Sequence, residues 1–79
     1  MTLIEFTAVM ESKLSENESK DGWTKAWFSY LLDRVREELK ELEKAVNEDC
    51  PPQEIAREAA DVANFCYMVA DVAERGGGK

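Results

Sequence analysis

The sequence predicts an all-α domain, a short bundle of about three helices, on three observations. Apolar residues recur at helical spacing, no stretch alternates with the period of a strand, and two polar or proline-containing breaks divide the chain. The first helix is expected over about Leu3 to Leu14. The polar run at residues 15–22 ends it and closes in Asp21-Gly22, a turn pair that leaves Asp21 placed to cap the second helix. The second helix is expected from Trp23 to Asn47. It stops at Asn47-Glu48-Asp49-Cys50-Pro51-Pro52, because proline cannot continue a helix but suits the first turn of the next. The third runs from Pro52 to Glu74 and should fold back on the second as a hairpin. Residues 1–75 then form one domain, and residues 76–79, Gly-Gly-Gly-Lys, are expected to be a flexible tail with nothing to bury.

A 79-residue chain buries a modest fraction of its surface, so self-association is expected, as a dimer or tetramer whose hairpins complete four-helix bundles. The longest apolar stretches are a few residues, far short of the roughly 20 that cross a bilayer. The N-terminus has no charged start or apolar signal core, which points to a soluble cytoplasmic protein. The net charge of −7 argues against nonspecific binding to nucleic acid or anionic membrane. A nucleotide substrate would need a metal to screen that charge.

The two cysteines, Cys50 and Cys66, make neither a disulfide framework nor a metal motif and read as reduced packing thiols. Histidine is absent, which removes the commonest general base, the serine-hydrolase triad and the Glu-x-x-His pattern of di-iron bundles. Chemistry must rest on carboxylates or cysteine, and no group that would stabilise a thiolate is evident near Cys66.

Placing residues about 100° apart gives the second helix an apolar stripe of Phe28, Leu31, Val35, Leu39, Leu42 and Val46. Glu38 falls at its edge, between Leu31 and Ala45, with Glu41 one turn on. In the third helix Ile55, Val62, Phe65, Val69 and Val72 define the core stripe; Glu58 falls in its middle and Asp61 on its flank. A carboxylate in an apolar setting needs a partner. Neither the third helix's stripe nor the second helix offers a basic row, so the four carboxylates call for a divalent metal. Mg²⁺ suits hard oxygen ligands and keeps waters for phosphates to replace, with Mn²⁺ as a substitute. The competing reading of Glu38 and Glu41 is a solvated face laced by Arg34, Lys40 and Lys44.

Glu38-Leu39-Lys40-Glu41, sixteen residues, then Glu58-Ala59-Ala60-Asp61 resembles the ExxE…ExxD signature of MazG-like nucleotide pyrophosphohydrolases. About half the chain shares the likeness. The resemblance implies cleavage of a nucleoside triphosphate to the monophosphate and pyrophosphate by helical oligomers, with Glu38, Glu41, Glu58 and Asp61 as metal ligands and catalytic groups. It also implies a substrate contact for Asn64, one turn after Asp61. Arg34 and Arg57 lie near the acidic faces and are candidates for phosphate, against the alternative of surface ion pairs. Trp23, Trp27 and Tyr30, at helical spacing, are candidates to stack on a base, against packing in the core or an interface. A helical oligomerisation or regulatory module that keeps the scaffold without turnover is the alternative to an enzyme.

Overall fold

A computed structural model of the chain describes residues 1–17 and 22–79 and contains three helices: α1 (Leu3–Asn17), α2 (Phe28–Asn47) and α3 (Pro52–Glu74). No strand occurs among the described residues, so the architecture is all-α as expected. Asp21, the expected cap, lies outside them. α1 opens with a reciprocal capping box: the Glu5 N–H donates to Thr2 Oγ1 at 3.1 Å and the Thr2 N–H donates to Glu5 Oε1 at 2.9 Å. The bond from the Thr2 N–H first, and the Thr2 side chain second, hold the Glu5 carboxyl below its ordinary pKa.

α2 begins at Phe28, five residues later than the apolar spacing predicts. Residues 23–27 form a turn closed by the Ala26 N–H on the Trp23 carbonyl at 2.9 Å, and Trp27 is extended at the cap position. The first N–H of α2 finds a distant partner. Phe28 N–H donates to the Gly78 carbonyl at 2.7 Å, which corrects the expectation that residues 76–79 bury nothing. Past Arg75, Gly76 turns left-handed at φ 80°. The Gly76 N–H then bonds the Ala73 carbonyl and the Gly77 N–H the Val72 carbonyl, both at 3.0 Å, the two bonds of a Schellman ending. That turn sends the chain back to α2, where Gly78, at φ 95°, lies against the Phe28 ring. Lacking side chains, these residues carry no burial signal in sequence, yet that lack is what lets the backbone approach so closely.

The hairpin between α2 and α3 forms as expected. Asp49 supplies the left-handed residue at φ 53°, the Cys50 N–H reaches back to the Ala45 carbonyl at 3.0 Å, and Pro51 and Pro52 start α3. α3 is the central element, packing on both α1 and α2, which do not pack on each other among the described residues. Leu31, Ala45, Ala60 and Val72 are buried around it. The apolar stripe expected on α2 divides: Leu31 is 1% exposed, whereas Leu39 and Val46 remain 44% and 50% exposed. Cys66, expected to pack, is exposed as well. No helix among the described residues is long and apolar enough to cross a membrane.

Candidate functional site

Glu38 sits seven residues from both Leu31 and Ala45, so two helical turns in either direction lead to a buried residue, and its carboxylate shares their face. Across the hairpin, Glu58 and Asp61 lie one turn apart on α3. One oxygen from each of Glu38, Glu58 and Asp61 falls within 4.8 Å of the others, and all three residues are half-buried. Burial first, then the charge of Asp61, pushes the Glu38 carboxyl above its ordinary pKa; Arg34 opposes this and the charges of Glu58 and Glu41 add to it. Glu41 is exposed and stands outside the three-carboxylate group, although Glu38 feels its charge.

Two cations answer this concentration of charge. Lys13 reaches from α1 to place Nζ 3.4 Å from Asp61 Oδ2. The partner that the Asp61 carboxylate calls for in sequence comes from α1, whereas the expectation looked for a basic row only on α2 and α3. Arg34 donates from Nη2 to Glu38 Oε1 at 2.9 Å, also pairs with Glu37, and holds its guanidinium 5.0 Å above the Phe65 ring. Glu58 has no ion pair among the described residues. Three clustered carboxylates with two monovalent partners fit a divalent cation bound through hard oxygen ligands.

A cleft of about 430 Å³ opens beside the cluster. Lys13, Arg34, Glu38 and Asp61 line it together with Trp23, Tyr30, Phe65 and Asn64. Trp23 is held in the wall by its indole N–H, which donates to Asp71 Oδ2 at 2.9 Å, and by an edge contact with the Tyr67 ring at 5.7 Å. Arg75 first, and Trp23 second, lower the Asp71 pKa by hydrogen bonding.

Of the residues singled out in sequence, Glu38, Glu58 and Asp61 come together, and Arg34 and Asn64 join them at the cleft. Arg57 and Trp27 do not. Arg57 turns to α1, with Nη2 2.8 Å from Glu16 Oε2. Trp27 is 60% exposed outside the cleft, because α2 starts after it and the helical spacing that grouped it with Tyr30 does not apply. Lys13 carries little signal in sequence beyond being the single basic residue of α1.

Neither a curated protein nor a solved structure matches the chain significantly. The family profile described as phosphoribosyl-ATP pyrophosphohydrolase matches residues 3–74, which include all three helices up to Glu74 and every carboxylate of the cluster. This chain therefore belongs to the family described as phosphoribosyl-ATP pyrophosphohydrolase, a family of hydrolases acting on nucleotide pyrophosphate bonds within the MazG-like all-α superfamily.

Proposed function

We propose that the protein hydrolyses a nucleoside or deoxynucleoside triphosphate between its α and β phosphates, giving the monophosphate and pyrophosphate. The observation that carries the reading is the meeting of Glu38, Glu58 and Asp61 at the edge of a cleft that also presents cations and aromatic rings. These three carboxylates would hold Mg²⁺, with Mn²⁺ as a substitute, and Glu41 would join from the outer turn. When bound there, the metal neutralises phosphate charge and lowers the pKa of a water.

The chain's own residues supply the rest. Arg34 and Lys13 each neutralise one carboxylate of the cluster, and both line the cleft, so either can turn to a phosphate oxygen when substrate enters. The guanidinium of Arg34, held over the Phe65 ring, can make a bidentate contact that an ammonium cannot, once its bonds to Glu37 and Glu38 are released. Trp23 and Tyr30 offer faces for a base. The site serves a homo-oligomer, a dimer or tetramer, in the cytoplasm, where the two unpaired cysteines stay reduced.

The test pairs a substrate panel with one substitution. Purified protein is incubated with Mg²⁺ and canonical ribo- and deoxynucleoside triphosphates, with phosphoribosyl-ATP alongside, and pyrophosphate is assayed separately from phosphate. Pyrophosphate with the matching monophosphate supports the reading. Turnover of phosphoribosyl-ATP alone would replace the substrate, and silence across the panel would leave a scaffold without turnover. Glu58→Gln removes one like charge from the cluster, so it should lose turnover by at least about 100-fold and lose the Mg²⁺-dependent rise in melting temperature, while the metal-free protein melts no lower than wild type. Wild-type turnover by that variant would remove Glu58 from the site.

A further inference from the structure

Asn64 is 3% exposed, yet only half of its amide is satisfied. Its Nδ2 donates to the Met10 carbonyl of α1 at 2.9 Å, while Oδ1 has no partner among the described residues. The assignment of the two ends rests on chemistry: a carbonyl oxygen only accepts, so the amide nitrogen must face Met10 and the oxygen must point elsewhere. An apolar side chain of the same size would fill this place between α1 and α3 without leaving a buried acceptor bare, which costs stability. Asn64 also lines the cleft, one helical turn beyond Asp61.

We infer that Asn64 Oδ1 is a recognition group that accepts a hydrogen bond from a sugar hydroxyl of the bound nucleotide. The inference rests on the nucleotide reading of the cleft. Phosphates belong beside the carboxylates, through a cation; an acceptor one turn further along repels phosphate oxygens and needs a donor. On a nucleotide the groups next to the phosphates that donate are the sugar hydroxyls, and the base beyond them meets the faces of Trp23 and Tyr30. The amide is held rigid by α1 through Met10, so the acceptor is preorganised.

Binding is measured by calorimetry with nucleoside monophosphates and Mg²⁺, so the result does not depend on hydrolysis. The ligands carry a ribose, a 2′-deoxyribose, a 3′-deoxyribose or a 2′,3′-dideoxyribose. The wild-type protein should bind the dideoxy ligand about tenfold more weakly than the ribose one, as expected for one lost hydrogen bond, and the two monodeoxy ligands tell which hydroxyl is read. Asn64→Leu should bind the ribose ligand about as weakly as wild type binds the dideoxy one and should not distinguish the four. Equal binding of all four ligands by wild type, or unchanged discrimination by Asn64→Leu, overturns the proposal. So does the absence of any nucleotide binding. Should Asn64→Leu fail to fold, Asn64→Ala, which removes the same acceptor, carries the same expectation. Discrimination without turnover would keep the proposal and refute hydrolysis, and turnover without discrimination would do the reverse.

Discussion

Asp71 shows how a side chain remote from the carboxylates shapes the cleft. It accepts the Trp23 indole N–H at 2.9 Å and a bond from Arg75 Nε at 3.0 Å, tying the turn before α2 to the last turns of α3. Both bonds favour the charged carboxylate, and the folded pKa is accordingly lowered. The stability this adds is fully present above the unfolded value, near 3.9, and is lost as pH falls through the lower folded value. Comparing wild type with Asp71→Asn by denaturant unfolding, the gap in stability should be constant from pH 8 to about 5 and close below about 4. A gap that does not narrow at all as the pH falls below about 4 would show that the charge of Asp71 is irrelevant to the fold. At this scale the site was partly legible. Glu38 and Glu58 betrayed themselves by lying on buried faces, a signal internal to each helix. Lys13 meets Asp61 only because α1 packs on α3, a tertiary fact that spacing within one helix cannot carry.

At the scale of elements, the join between α2 and the C-terminal glycines makes the sharpest claim. A Cβ on Gly78 would stand 2.5 Å from the Phe28 ring, on a backbone at φ 95° that side chains rarely adopt. Gly78→Ala should therefore cost about 1–3 kcal/mol, a fall of several degrees in melting temperature for a domain this size. At Gly77 the same Cβ meets nothing closer than Val72 Cγ1 at 3.5 Å, an ordinary contact. Gly77→Ala should stay within about 1 kcal/mol of wild type. Equal effects at both positions would mean that the glycines do not dock on α2. The helix ends were legible in proportion to their punctuation. Pro51-Pro52 marked the start of α3, and Thr2-x-x-Glu5 carries a capping signature at the start of α1. The start of α2 was not legible, since Trp23, Trp27 and Tyr30 keep helical spacing while residues 23–27 form a turn that the Trp23–Asp71 bond anchors to α3.

For the whole molecule, the accessible surface is larger than a solitary domain needs. It amounts to 5746 Å², against about 4850 Å² for a folded monomer of 9.0 kDa. Part of it is patterned. Leu32, Leu39 and Val46 are 42%, 44% and 50% exposed at seven-residue intervals along α2. Half-buried Val35 and Leu42 fall between them, which completes the alternating three- and four-residue spacing of a helix–helix seam. A second α2 laid on this seam would join two hairpins into a four-helix arrangement and leave the carboxylates of each facing inward across their own hairpin. Leu39→Glu puts a charge at the seam's centre without touching the buried Leu31 or Ala45. Wild type should sediment as an assembly, and the variant as a monomer of 9.0 kDa that stays helical but melts lower. The wild-type melting temperature should rise with protein concentration and that of the variant should not, because association stabilises the folded state by mass action. A wild-type protein that sediments as a monomer, with concentration-independent melting, would mean that the exposed seam has no partner in a second copy of the chain.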